Sequence, residues 1–270
     1  MEYFTKQNSI VRQIWGSSDT IMFIFAGAAA EFALNKSVDW LYFTGKLPSD
    51  PIARFLSTVS YARDIVFAEQ EDALRSIDKM AAIHKAVEVK RGMDIPDWAY
   101  RDVLFMLIDY SIRSYELLER PLSIVEKQEV FEVFHRVGSR MGIRGLPQDF
   151  GVWQWIREAQ LEQNLQYSNY TADLFGQYRR HLGFLRYAIL IESQKLVIPK
   201  CVSSRVGFSN FKTLKPFIGI YKLGRQFNLD WLLKELLLPG AYKKAIMRLD
   251  VGIEKRGCPF QKQQLEPLRM

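Results

Sequence analysis

The sequence predicts an all-α protein built around a single multi-helix domain. Apolar residues recur at spacings of three and four almost throughout, glycine and proline gather between such runs, and no stretch alternates with the period of two of a half-buried strand. A chain of 270 residues, 48% hydrophobic and 13% aromatic, can bury a large core, and one helical domain with an appendage suits that size. The boundary is expected near residue 210, with a helical domain over 1–210 and a basic helical extension over 211–270 packed on or beside it.

Helices are expected over about 9–15, 19–43, 51–67, 70–91, 97–119, 124–141, 149–165 and 171–197, with short ones beyond 210. Thr20 to Leu34 is the longest apolar run, but Glu31 interrupts it and it falls short of the roughly 20 residues that span a bilayer, so it reads as a buried helix. Asp50-Pro51 supplies a cap and a first-turn proline for the next helix. Ser123 with Glu126 forms a capping box for the helix that Gly142 ends. Pro199 to Pro216 reads as a long connection into the basic tail.

The net charge of +7 lies in that tail: residues 211–270 hold 12 Lys/Arg against 5 Asp/Glu, leaving 25 of each in the first 210. Apolar stretches such as Trp231 to Leu233 and Leu236 to Leu238 interleave with the charge, which suits peripheral contact with a membrane surface or an acidic partner and equally an ordinary solvated face. No basic-aromatic motif points to nucleic acid. Two cysteines, Cys201 and Cys258, form neither a disulfide framework nor a metal knuckle, and Met1 to Ser9 lacks the basic and apolar regions of a signal peptide, so a cytoplasmic setting is expected.

Chemistry gathers around the three histidines. Spaced at 100° per residue, His84 shares a face with Ala73, Ile77, Met80, Ala81 and Val87, so it faces the interior, as a hydrogen-bonded core histidine or as a metal ligand. His181 has a similar address, beside Leu174, Tyr178, Leu185 and Ala188, and is the rival ligand. His135 sits in a Glu132-Val-Phe-His135 segment, but neither other histidine has a carboxylate three residues earlier, so a di-iron carboxylate centre lacks its second half. Arg54 and Thr58 lie on adjacent turns at the edge of an apolar stripe containing Val59, Ala62 and Val66. Arg54 can lay its stem along the core and aim its guanidinium inward, or form a surface ion pair, while Thr58 can bond back to its own turn. A lone imidazole in apolar surroundings, with a cation and a hydroxyl nearby, is what holding and tuning a haem iron requires. G-x-S-x-G, P-loop, G-x-G-x-x-G and H-E-x-x-H motifs are absent from the sequence.

The order of Asp50-Pro51-x-x-Arg54-x-x-x-Thr58, a helix bearing His84, Gly92, Pro121-Leu122-Ser123-x-x-Glu126 and Gly142 to Leu146-Pro147 resembles the MpaB and rubber oxygenase (latex clearing protein) catalytic family, over roughly Val11 to Gln194. The resemblance implies an all-helical fold around a buried haem-sized pocket, b-type haem with His84 as axial ligand, Arg54 and Thr58 as distal polar residues, and dioxygen chemistry on unsaturated hydrophobic chains such as isoprenoids. Three features depart from that pattern. Ser57 stands where rubber oxygenases carry a lysine before the threonine, which closes the route to six-coordinate iron through that lysine. The stretch Ala29 to Ala33 lacks the histidine-proline-type sequence of many relatives, and His84 is farther than usual from its glycine, Gly92.

Two functions follow as expectations. The first is a haem b-dependent oxygenase taking dioxygen and a hydrophobic small molecule, with Ala26, Gly27 and Ala30 leaving room for a macrocycle or chain-like substrate. The same small residues also suit close helix packing. The second is a non-catalytic helical protein that binds a hydrophobic ligand or a partner, with His84 a core residue.

Overall fold

The computed structural model describes residues 2–45, 49–209 and, beyond these, 213, 214, 216, 218, 219, 221 and 222. Ten helices are present among them: α1 (Ile10–Trp15), α2 (Ser18–Phe32), α3 (Val38–Phe43), α4 (Pro51–Val66), α5 (Gln70–Arg91), α6 (Asp97–Leu118), α7 (Ile124–Arg140), α8 (Phe150–Gln163), α9 (Asn169–Val197) and α10 (Lys200–Val206). Extended pairing is confined to two isolated bridges, Tyr3 with Glu69 and Asn35 with Leu165, so the all-α expectation holds. Nearly all of the expected basic extension over 211–270 lies outside the described residues. Among the described residues no helix is long and apolar enough to cross a membrane.

The helix ends form for local reasons. Asp50 accepts from the amides of Ile52 and Ala53 with Pro51 at the first position, and Ser123 and Glu126 make the reciprocal capping box. Both satisfy amide donors that an uncapped helix leaves open.

α2 and α6 form the centre, with α9 against α2, α7 against α6, and α4 paired with α5. Trp15, Ile14, Ile21, Ile24, Phe105, Ile108 and Tyr110 are almost wholly buried there. The Trp15 indole meets Phe25 edge-on at 6.2 Å between ring centroids and donates to Ser111 Oγ at 3.2 Å, so its polar edge is satisfied within the core. Gly27 is required at the α2–α6 contact: a Cβ there would lie 2.4 Å from two carbons of the Tyr110 ring.

Three elements differ from the sequence expectation. The helix expected over 19–43 breaks into α2 and α3, because Asn35 turns its side chain back to accept from the Ser37 amide at 2.8 Å and donates to Asp102 at 2.8 Å. The backbone of the break pairs with the end of α8, through Lys36 N to Asn164 O and Gln166 N to Leu34 O. Within α9, Gly183 adopts φ 72° and ψ 174°, a conformation essentially restricted to glycine, and kinks the helix. The expected connection after Pro199 instead forms α10, closed by Gly207 at φ 82°.

Candidate functional site

α4 and α5 pack against one another and bring the Arg54/Thr58 helix to the His84 helix. Arg54, Ser57 and Thr58 are half-buried. The hydroxyls of Ser57 and Thr58 both donate to the Arg54 carbonyl, at 2.8 and 3.1 Å, and Arg54 Nη1 donates to Ser57 Oγ at 3.3 Å. Thr58 therefore makes the back-bond available to any helix threonine. Burial pulls the Arg54 guanidinium below its ordinary range, and the remaining guanidinium donors have no carboxylate partner among the described residues.

His84 is half-buried on α5. Its Nδ1 lies 2.8 Å from the Met80 carbonyl, an acceptor only, so Nδ1 carries the proton and the lone pair sits on Nε2. Nε2 carries no hydrogen bond among the described residues. Burial is the main cause holding the imidazole pKa below 6.5, opposed by the Met80 bond and reinforced by the positive charge of Arg54. The ring is therefore neutral at physiological pH, with its free lone pair on Nε2.

A second layer fixes that ring. Tyr100 lies against it, with centroids 5.4 Å apart, and donates to Glu88 Oε1 at 3.1 Å. Buried Glu88 also accepts from the Ile95 amide at 2.9 Å and pairs with Lys85 at 3.0 Å. Two turns beyond His84, on the same face, Arg91 pairs with Asp39 at 2.6 Å and stacks on Trp40 at 4.0 Å. Its Nη1 is buried and has no hydrogen-bond partner among the described residues. The sequence reading missed Glu88, Tyr100 and Arg91. For Arg91, the seven-residue offset from His84 was the available signal.

The other predicted residues are placed differently. His181 places Nδ1 2.9 Å from the Gln177 carbonyl and Nε2 3.0 Å from the Ser49 carbonyl, so each ring nitrogen faces a backbone acceptor and whichever carries the proton has a partner. Ala26, Gly27 and Ala30 are buried on α2, where Gly27 closes on Tyr110. His135 contacts Ser139 Oγ at 3.5 Å and the Phe131 ring at 5.4 Å.

A buried charge network lies between α2, α6 and α8. Arg157 Nη1 and Nη2 each donate to Glu31 at 2.6 Å, while Nε and Nη2 donate to Asp109 Oδ2 at 3.1 and 3.0 Å. Tyr110 adds its hydroxyl to Glu31 at 2.8 Å. Burial alone would lower the Arg157 pKa, but the attraction of Glu31 and then Asp109 outweighs it and raises the pKa. Nearby, buried Asp102 accepts from the amides of Asn35 and Asn164, and burial pushes its pKa up to about 6.

The site thus combines, within an all-helical fold, a neutral imidazole with one open nitrogen and a desolvated arginine on the neighbouring helix. The chain matches a family model over residues 15–202, well over half its length, described as ER-bound oxygenase mpaB/B'/Rubber oxygenase, catalytic domain. It belongs to that oxygenase family, in agreement with the resemblance carried by the motifs from Asp50 to Pro147. No curated protein and no solved structure matches the chain.

Proposed function

We propose that the protein is a haem b-dependent oxygenase that uses dioxygen on a hydrophobic, unsaturated substrate of the isoprenoid type. The observation that carries this reading is the state of His84: Nδ1–H is committed to the Met80 carbonyl, Nε2 is open, and burial with Arg54 keeps the ring neutral. A backbone carbonyl on the far nitrogen is the usual second partner of an iron-bound imidazole, fixing its tautomer and orientation. One protein nitrogen would suit an iron whose other ligands come from a macrocycle, and on that ground the donor set is of the kind haem takes.

Bound haem would supply the oxygen-activating redox chemistry; His84 would hold it, and Glu88 with Tyr100 would keep the imidazole in place. Arg91, through its buried and unpartnered Nη1, is the cation suited to its carboxylates. Arg54 would supply a fixed donor for negative charge developing on a reacting oxygen, and Thr58 would add a second by turning its hydroxyl from the Arg54 carbonyl, an arrangement strengthened by exclusion of water. Ser57 donates to its own turn and takes no part as a ligand.

The test is expression with haem precursor and absorption spectra of the oxidised, reduced and carbon monoxide-treated protein. A stoichiometric Soret band that shifts with carbon monoxide supports the reading. His84→Ala should abolish that band while far-UV helicity is retained, and an unchanged band would move the ligand role elsewhere, first to His181. A wild-type protein that stays colourless with haem supplied would replace the oxygenase by the non-catalytic hydrophobic-ligand reading.

A further inference from the structure

The kink at Gly183 changes what α9 presents. On an unbroken helix Leu185 would lie seven residues, or two turns, beyond Tyr178 and share its buried face. The Gly183 dihedrals break that register. Leu182 and Tyr187 pack on the small cluster of Ala33, Leu174 and Tyr178, while Phe184 and Leu185 turn outward, 77% and 61% exposed. Two adjacent large apolar side chains on one protruding knuckle are a costly surface for a protein that keeps them in water.

Positive charge lies within one turn of the knuckle along the chain. Exposed Arg179 and Arg180 immediately precede it. Arg180 donates to the neutral Gln177 Oε1 at 3.2 Å, and neither arginine forms an ion pair among the described residues. Elsewhere, Arg75, Arg120, Arg140 and Arg144 on equally open surfaces each meet a carboxylate. The segment thus combines exposed apolar groups with arginines that form no ion pair among the described residues, which matches the boundary between anionic headgroups and acyl chains. It is also tied to the candidate site. His181 Nε2 faces the Ser49 carbonyl, and Ser49 adjoins Asp50, which caps the helix bearing Arg54 and Thr58.

We propose that the Gly183 knuckle is a membrane-docking wedge, seating Phe184 and Leu185 in the surface of an anionic bilayer while Arg179 and Arg180 contact its headgroups. The wedge places the entry of α4 next to the phase in which a hydrophobic substrate dissolves. It is independent of haem binding, so its test and that of the oxygenase reading can fail separately.

The experiment uses the full chain with phosphatidylcholine vesicles prepared with and without phosphatidylserine. Wild type should pellet with the anionic vesicles only and release as salt is raised. Phe184→Ser/Leu185→Ser should lower partitioning roughly 10- to 100-fold, from the lost burial of two apolar side chains, and Arg179→Gln/Arg180→Gln should lower it to a smaller extent. Circular dichroism confirms that each variant is folded. A fluorophore on Leu185→Cys, with Cys201 and Cys258 replaced by serine, reads the knuckle itself even if the basic tail also binds. Its emission should shift to the blue on anionic vesicles and be quenched by lipids brominated in the acyl chain. A label that stays in water while the protein pellets, or a wild type that does not pellet, overturns the wedge and leaves the knuckle to a protein partner.

Discussion

Arg157→Ala is expected to be among the most damaging single substitutions in the chain. The wild-type guanidinium is buried to 3% exposure and makes its ion pairs with Glu31 and Asp109, which are themselves buried. Alanine leaves the fully buried Glu31 with only the Tyr110 hydroxyl and no cation, and leaves Asp109 with the partly exposed Arg113 alone. Removing one partner of a buried pair costs about 3–5 kcal/mol, most of it the uncompensated charge left behind. At roughly 2–4 °C per kcal/mol for a domain of this size, the loss is about 6–20 °C in Tm. Charge as the cause also sets a pH signature. Protonation neutralises the stranded carboxylates in the folded variant, so the folded state takes up protons and the deficit should be largest near about pH 8 and shrink towards about pH 5. Urea unfolding of wild type and variant across that range is the assay. Combining Arg157→Met with Glu31→Gln and Asp109→Asn should recover much of the loss, because the one cation left unpaired, Arg113, is partly exposed and no buried charge remains without a partner. A pH-independent deficit, or one below about 1 kcal/mol, would refute the electrostatic account and leave lost packing as the cause.

Gly27→Val should destabilise by about 1–3 kcal/mol or more, read by urea unfolding, since even a Cβ meets the Tyr110 ring at 2.4 Å. Asp102 has its folded pKa raised from 3.8 to about 6, so its contribution to stability is full below about pH 4 and is lost as pH rises through 6; Asp102→Asn should flatten that limb of the stability curve. His84 acts in the opposite direction: its folded pKa lies below 6.5, so its contribution is full above 6.5 and is lost as pH falls, and His84→Gln should remove this acid limb in the protein without haem. Ser123→Ala removes one half of the capping box and should cost about 1 kcal/mol, with m-value unchanged.

The bounds of α4 to α7 were legible because their causes are local: Asp50-Pro51, Ser123 with Glu126 and the three-and-four spacing all act within one or two turns. The same periodicity placed His84 and His181 on apolar faces and could not separate them. The difference lies in Nε2, which is open in His84 and faces the carbonyl of Ser49, 132 residues away, in His181. Glu31 registered in the sequence only as an interruption of an apolar run, because its partner Arg157 is 126 residues distant and helix period carries no information about such pairing. The kink at Gly183 was equally hidden: an isolated glycine in an apolar-periodic stretch fits a continuous helix, and only the packing of Leu182 and Tyr187 on the α3 side of the fold shows that the chain turns there. The sequence by itself determined the helical class and the family and offered Arg54, Thr58 and His84 as candidates, all of which rest on local order along the chain. Tertiary structure alone decided which nitrogen is open, which charges are buried together and which apolar residues face outward, because each depends on contacts between helices far apart in sequence.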